Sequence, residues 1–286
     1  MTAPTLVPRD ALLGCRVALS VSDSQDLSRL GLTPSHLELV VAEIARAVIL
    51  ARGIIVYGGR IKPAGFTQLI IDEVERYGTE RLSLELYVPA SEHQHIPHDE
   101  LEEIDRRLGI AGQLYLLTPS GEAQTVVQRR NTAVPSATTP AEALTSMRKH
   151  ISELTDARVI LGGKLTGFQG IEPGVIEEAR LTVQSGKALY VAGGYGGAAT
   201  AVAQTLGYDN FDWTPSDLPA GGETDQVQIA LANLRTAYAT VERTDGLSDD
   251  QRRVLAISHR PANIATMVVQ GLSNTRATET SRNQQP

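Results

Sequence analysis

The stretch Ile54–Gly78, IIVYGGRIKPAGFTQLIIDEVERYG, contains the pattern on which the fold prediction rests. Its apolar run ends at the pair Gly58–Gly59, a short loop with Arg60 and Lys62 follows, and Gly65 precedes a segment with helical periodicity. This order predicts a strand, a loop and a helix N-terminus. Free N–H groups and a partial positive charge make such a terminus suitable for an anion. The loop is neither G-x-G-x-x-G nor a P-loop, because it lacks the G-K-[ST] ending.

The alternation of apolar runs and helical segments continues on both sides of this stretch. Further strands are predicted at 16–24, 82–89, 112–119, 157–163 and 187–194. Further helices are predicted at 33–53, within 91–109 and 142–155, at 172–185 and at 196–207. Strands that alternate with helices indicate parallel strands with helices on both faces of the sheet. The predicted fold class is therefore α/β, with a Rossmann-like parallel sheet.

The pattern changes beyond Phe211, where three helical segments follow one another without a strand between them. They predict a C-terminal helical appendage on the sheet. The expected organisation is a ligand-binding domain at 1–210, a helical extension packed on it at 211–272, and a disordered polar tail at 273–286.

Composition limits the classes of partner. The chain has 286 residues, 21% charged residues and a net charge of −7, which disfavours a general nucleic-acid binder. The one cysteine, Cys15, cannot form an intramolecular disulfide. The N-terminus lacks the apolar region of a secretory signal, and charged residues interrupt the apolar region Leu39–Val56. We therefore expect a cytoplasmic protein with neither a nucleic-acid nor a membrane partner.

Three turns share one design, a glycine pair directly after a strand. They span Tyr57–Thr67, Leu161–Ala179 and Ala192–Thr200. Carboxyl ends of parallel strands meet at one sheet edge, where ligands bind, and glycine lets a ligand approach the backbone. A single glycine pair is as well explained by a tight turn, but three in corresponding positions favour a site. The predicted ligand-binding residues are Ser22, Gly58, Gly59, Arg60, Gly65, Phe66, Thr67, Gly162, Gly163, Lys164, Gly170, Pro173, Gly174, Glu177, Gly193, Gly194, Gly196 and Gly197.

The second turn also carries two carboxylates. Pro173 suits the start of a helix, and Glu177 and Glu178 then fall in its first turns. A carboxylate there can bond ribose hydroxyls, attack an anomeric carbon or activate water. Acidic residues are also common in the first helical turn because they suit the helix dipole, so both readings stay open.

The turns YGGRIKPAGFTQLI and LGGKLTGFQGIEPGVIEEA resemble those of the SLOG superfamily, over about Arg16–Leu206. The resemblance implies a Rossmann-like domain that binds nucleotides or nucleotide-derived ligands, as do the SLOG domains of bacterial conflict systems and of TRPM channels. In conflict systems it implies a sensor of nucleotide signals. Because no fused effector is recognised here, we expect the chain to act alone, through a separate effector protein or as a nucleotide-processing enzyme, and we also expect a homo-oligomer.

The resemblance also carries possible catalytic residues. LOG enzymes, which release cytokinin bases from nucleotides, use P-G-G-x-G-T-x-x-E, and Pro173, Gly174 and the pair Glu177–Glu178 resemble a contracted form of it. Nucleoside deoxyribosyltransferases have a glutamate nucleophile ahead of G-K-P. Glu178 before Gly186–Lys187 is similar, with Ala188 in place of proline. If the chain is an enzyme, the resemblance implies Glu178 or Glu177 as the catalytic residue.

Three hypotheses therefore remain: a sensor of a nucleotide or ADP-ribose-like ligand, an N-glycosidase-type hydrolase or transferase, and a ligand-free scaffold or oligomer subunit. A dehydrogenase is disfavoured, since no G-x-G-x-x-G follows the first strand. No cofactor is predicted. No metal site is predicted either, because the cluster His93, His95 and His98 lies in a polar segment with a proline. The aromatic cluster around Phe211 is predicted to anchor the helical appendage.

Overall fold

Seven strands form one sheet in this computed structural model, which describes residues 7–61, 65–78, 81–130, 139–209, 211–216, 222–242 and 245–283. In chain order the strands are β1 (Arg16–Ser22), β2 (Ile54–Gly58), β3 (Leu84–Val88), β4 (Gly112–Leu117), β5 (Ala123–Thr125), β6 (Ala157–Gly162) and β7 (Ala188–Ala192). Their order across the sheet is β5-β4-β3-β2-β1-β6-β7. The pairings are parallel except for β4 with β5.

The strands alternate with helices as the sequence predicts. The helices are α1 (Pro34–Leu50), α2 (Phe66–Tyr77), α3 (Ala90–His93), α4 (His98–Leu108), α5 (Val126–Arg130), α6 (Pro140–Leu154), α7 (Gly174–Gln184), α8 (Gly197–Thr205), α9 (Gly222–Ala239), α10 (Asp249–Ile257) and α11 (Pro261–Asn283). The α/β fold class, with a Rossmann-like sheet and C-terminal helices, is confirmed.

The central strands are apolar because helices cover both of their faces. All residues of β3, β6 and β7 are buried, as expected for parallel strands. On one face, a hydrophobic cluster joins the sheet to α1, α2, α4 and α11. On the other, α6 packs over Ala18 and Val56, while α7, α8 and α9 pack over β6 and β7. None of the helices in the described part of the chain is long and apolar enough to cross a membrane.

The strand order places a crevice at the centre of the sheet. From β1 the chain proceeds through β2, β3 and β4 in one direction, and β6 and β7 lie on the other side of β1. In open parallel sheets, ligands bind outside the carboxyl ends of the strands where the order reverses. Here that point lies between β1, which ends at Ser22, and β6, which ends at Gly162.

Two local predictions differ from the structure. The antiparallel edge strand β5 has only three residues, too few for a periodic pattern, and was not predicted. The tail expected to be disordered from residue 273 is helical as far as Asn283, at the end of α11. Ile264, Val268 and Leu272 bury the first half of α11. Once that half is formed, each added residue gains a hydrogen bond without a new nucleation step.

An ion pair crosses the amino-terminal part of the sheet. Arg16 in β1 donates from Nε to Glu85 Oε2 at 3.0 Å and from Nη2 to Glu85 Oε1 at 2.9 Å. The two members differ in exposure, since the side chain of Arg16 is 39% exposed and that of Glu85 only 2%. The buried Glu85 carboxylate therefore needs Arg16 to balance its charge, whereas the guanidinium of Arg16 can also be hydrated by solvent.

This asymmetry gives a prediction about stability. Arg16→Met leaves the Glu85 carboxylate buried without its counter-ion, and we expect it to lower the free energy of unfolding by about 3 kcal/mol. Glu85→Met leaves an arginine that can reach water, and we expect a loss of about 1 kcal/mol or less. Urea denaturation of the two variants measures both values, and equal losses contradict this account of the pair.

Candidate functional site

A cavity of about 290 Å³ lies at the carboxyl ends of β1, β2 and β6, where the strand order reverses. This volume is near the lower end of small-molecule sites, which occupy about 300–1,000 Å³. Its lining consists of Leu19, Ser20, Val21, Ser22, Gly58, Gly59, Arg60, Pro89, Glu92, Leu144, Met147, Arg148, Lys164, Gly167, Phe168, Gln169, Gly174, Val175 and Glu178.

The first glycine turn forms one wall of the cavity. A Cβ added at Gly58 would lie 2.6 Å from Ile151 Cδ1, so α6 packs directly on this backbone. Arg60 Nε donates to Glu92 Oε1 at 2.8 Å, and the same guanidinium hydrogen-bonds Gln169. Arg60 therefore joins the loop after β2 to the loop after β6. Thr67 Oγ1 donates to the Arg60 carbonyl oxygen at 2.7 Å, which fixes this loop to the start of α2.

The second turn supplies the opposite wall. Gly162 (φ 57°) and Gly163 (φ 99°) have backbone conformations that favour glycine. Lys164 follows them, is exposed and lines the cavity. It has no hydrogen bond or ion pair with any residue that the structure describes, so its ammonium group is available to a ligand.

The N-terminus of α7 points at the same space. Gly174 and Val175, its first two residues, line the cavity. The first amides of a helix have no acceptor within the helix, and within the described ranges these two have no other acceptor. Free amides and a partial positive charge at a helix start favour an anion.

Arg148 on α6 enters the site through a space left by two glycines. A Cβ added at Gly170 would lie 2.5 Å from Arg148 Nη1, and one at Gly174 would lie 2.5 Å from Nη2. Arg148 Nη1 donates to Glu177 Oε2 at 2.5 Å, and Thr145 Oγ1 donates to Glu177 Oε1 at 2.7 Å. Both oxygens of Glu177 are thus engaged, and the structure places Glu177 behind Arg148 rather than in the cavity lining.

Glu178 is the carboxylate of this helix that faces the cavity. Its side chain is 12% exposed, and Oε1 lies 3.4 Å from Nη1 of the buried Arg158. Burial raises the pKa of the Tyr57 phenol on neighbouring β2, and the charge of Glu178 adds to this effect.

The third glycine turn is occupied by the protein itself. Gly193, Gly194 and Gly197 are buried, and Gly197 N–H donates to Asp26 Oδ2 at 2.8 Å. Asp26 is fully buried and also accepts from the backbone N–H of Ser216 at 2.8 Å. The positive end of α8 thus already has an anion, the carboxylate of Asp26.

The predicted site residues therefore divide into two groups. Those that line the cavity are Ser22, Gly58, Gly59, Arg60, Lys164, Gly174 and Glu178. Those that lie outside its lining are Gly65, Phe66, Thr67, Gly162, Gly163, Gly170, Pro173, Glu177, Gly193, Gly194, Gly196 and Gly197. Lys62, noted in the first loop, lies outside the described residues.

The predicted ligand-binding residues do not include several groups of the site. The cavity lining also includes Glu92, Leu144, Met147, Arg148, Phe168 and Gln169. Most come from segments without a motif, so only tertiary packing brings them together. Arg158 left one signal in the sequence, since it is the single charged residue of the strand ARVILG.

Two other clusters noted in the sequence lie outside the cavity lining and contact other parts of the protein. His93 is buried with Nε2 2.9 Å from the Leu117 carbonyl oxygen, and burial lowers its pKa. Among the described residues, no group of three or more His, Cys, Asp or Glu side chains is arranged to hold a metal ion. In the aromatic cluster, Phe211 and Trp213 pack edge to face at 5.6 Å, and Arg29 lies over Trp213.

The family model described as SLOG cluster2 matches residues 11–251. This range includes all seven strands and every residue of the cavity. No curated protein matches the chain significantly.

The internal anion of the third turn yields a prediction. Asp26→Ala removes the acceptor of the Gly197 and Ser216 N–H groups, and we expect the free energy of unfolding to fall by about 3 kcal/mol, as hydrogen bonds to a charged group are lost. Asp209→Ala is the control, because Asp209 lies 3.8 Å from an exposed Arg253 and its loss costs under about 1 kcal/mol. Urea denaturation of both variants measures these losses. Similar values for the two variants contradict a structural role for Asp26.

Proposed function

The chain belongs to the SLOG family, and from this premise we propose that it binds a nucleotide or a nucleotide-derived, ADP-ribose-like ligand in the central cavity. Family membership suggests nucleotide-related ligand binding or processing. One observation carries the proposal: the α7 N-terminus, Lys164 and Arg148 converge on a single cavity that also contains the carboxylate of Glu178. Cations and free amides suit a phosphate, and a carboxylate suits sugar hydroxyls.

The phosphate-binding part of the proposal rests on charge and hydrogen-bond donors. The chain carries a net charge of −7, yet this cavity is lined by Arg60, Arg148 and Lys164 against Glu92 and Glu178. Lys164 and the first amides of α7 are donors that have no partner among the described residues. We assign the phosphate to them, with Arg60 at the mouth of the cavity.

The nucleoside part rests on the remaining walls. Glu178 and Ser22 supply oxygen atoms for ribose hydroxyls. Leu144, Met147 and the half-buried ring of Phe168 supply an apolar surface, on which a base can pack. The site therefore offers complementary groups to a phosphate, a sugar and a base.

The proposed role is that of a sensor in a bacterial signalling or defence system. A sensor passes its state to an effector, and we include in the proposal a separate effector protein, assembly as a homo-oligomer and a cytoplasmic location. The scaffold hypothesis is the contrasting outcome, because a scaffold that has lost its ligand gains no stability from nucleotides.

Ligand binding is tested by stability and affinity together. We expect AMP or ADP-ribose at 100 times its Kd to stabilise the protein by about 2.7 kcal/mol. Lys164→Met removes a free cation from the cavity, and we expect a Kd about tenfold higher by calorimetry. Lys187→Met is the matched control, since Lys187 lies just before the amino end of β7, whereas the cavity lies at the carboxyl ends of the strands. If no nucleotide stabilises the wild-type protein, the scaffold hypothesis replaces the sensor.

One observation favours an enzyme as the second candidate function. Glu178 faces the cavity with one oxygen near Arg158, while no described residue hydrogen-bonds its other oxygen. A carboxylate in this position can attack C1′ of a nucleotide, so that a glycosyl ester forms as the N-glycosidic bond breaks. The base leaves with the bonding electrons and takes up a proton, and water then hydrolyses the ester.

This candidate predicts release of a free base. Incubation of the protein with AMP and NAD, followed by chromatography, measures it. Glu178→Gln keeps the size of the side chain but removes the nucleophile, so we expect base release to fall at least about 1,000-fold while the Kd for phosphate stays the same. If Glu178→Gln still releases base, Glu178 is not the nucleophile. If the wild type releases no base, the enzyme candidate fails and the sensor function remains.

A further inference from the structure

Arg158, the second residue of β6, is the one charged residue of this otherwise apolar strand. Its side chain is 1% exposed, and its register partners are Ala18 in β1 and Leu189 in β7. Burial of a guanidinium is strongly unfavourable unless the group is hydrogen-bonded and its charge is balanced. The position of Arg158 therefore depends on what its nitrogen atoms contact.

The hydrogen bonds of Arg158 go to three neutral hydroxyl groups. Nε donates to Thr182 Oγ1 at 2.8 Å, Nη1 to Ser20 Oγ at 2.7 Å and Nη2 to Ser152 Oγ at 3.1 Å. In the described part of the chain, Glu178 is the one carboxylate in ion-pair contact with it, at 3.4 Å. Burial lowers the pKa of Arg158 and Glu178 opposes this shift. Glu178 is thus the counter-ion of a buried cation.

This pairing fixes Glu178 from two sides. Arg158 Nη1 contacts its carboxylate, and Arg158 Nε contacts Thr182 Oγ1, which itself donates to the Glu178 carbonyl oxygen at 2.7 Å. The side chain and the main chain of Glu178 are therefore both tied to one guanidinium. The carboxylate faces the cavity in an orientation that the sheet interior determines.

The same nitrogen orients a hydrogen-bond donor. Ser20 lines the cavity although its exposure is only 3%, and its Oγ accepts from Arg158 Nη1. A hydroxyl group has one proton, and no described residue accepts the proton of Ser20. Because Nη1 contacts both Ser20 and Glu178, a free donor and a held acceptor lie near each other at the base of the cavity.

We infer that Arg158 is a positioning residue for ribose recognition, acting through Glu178 and Ser20 without contact with the ligand. The 2′-hydroxyl of the ribose donates to Glu178, and the 3′-hydroxyl accepts from Ser20. The arrangement selects a ribosyl group over its 2′-deoxy analogue. This inference rests on the proposed nucleotide-derived ligand and adds a determinant located within the sheet.

Calorimetric titration with inorganic phosphate, AMP and 2′-deoxy-AMP tests the inference. We expect the wild type to bind AMP about tenfold more tightly than 2′-deoxy-AMP, since a hydrogen bond to a charged group is lost in the analogue. We expect Arg158→Met to lose this preference while its Kd for phosphate changes by less than about twofold. Arg180→Met is the control, because Arg180 on α7 pairs with Glu172 in the loop before this helix, and neither residue lines the cavity.

A double-mutant cycle separates positioning from simple support of the fold. If Arg158 acts through Glu178, then Arg158→Met adds nothing to the loss of preference already caused by Glu178→Gln. Independent, additive losses overturn the inference, and so does an equal loss of affinity for phosphate and both nucleotides in Arg158→Met.

A second variant covers the case in which Arg158→Met does not fold. Thr182 is buried and lies outside the cavity lining. The substitution Thr182→Val removes one hydrogen-bond acceptor of Arg158 and keeps nearly the same side-chain shape. We expect a loss of ribose preference of about threefold, and an unchanged preference overturns the inference. If the wild type binds none of the nucleotides, the proposed function fails first and this inference fails with it. If the wild type binds the nucleotides but shows no preference for ribose, the inference about Arg158 is wrong while the proposed function stands.

Discussion

The burial of both faces of the parallel sheet is the constraint on which the remaining structure depends. Helices on either side leave β3, β6 and β7 without exposed residues, so the sheet can present polar groups to a ligand only at the strand ends. At the carboxyl ends, helix N-termini add unpaired amides to the same edge. The reversal of strand order between β1 and β6 then opens a space there. The location of the cavity thus follows from topology before any side chain is considered.

The sequence predicts the parallel strands well for the same physical reason. A strand covered on both faces is apolar over most of its length, and the runs that end at Gly58, Gly162 and Gly194 stand out from the amphipathic helices between them. The edge strand β5 is too short to leave such a pattern, and the polar end of α11 is helical only because its first half is buried. The local sequence pattern therefore predicts the strands that the core must bury. It fails for β5 and for the end of α11, whose structure depends on contacts with distant segments.

The sequence predicts which turns lie near the candidate site, but it does not determine which residues of those turns face the cavity. All three turns have the same local design, yet they differ in what fills them. The first two border the cavity, while Asp26 occupies the third from 171 positions away in the sequence. Gly170 and Gly174 give space to Arg148 instead of only to a ligand. Because such partners come from distant segments, glycine spacing alone cannot distinguish an open turn from a filled one.

Arg158 relates the stability of the sheet to recognition at its edge. Replacement of a buried ion pair by apolar residues of similar size is often neutral or stabilising, so an arginine within β6 is not explained by folding alone. Its three hydroxyl partners come from β1, α6 and α7. Three elements of the core thus determine where Glu178 and Ser20 meet the cavity. A rigid scaffold of this kind reduces the entropy lost when a ligand binds. Apolar replacement of Arg158 and Glu178 together should therefore preserve the fold and remove the selectivity, which separates the two roles of the pair.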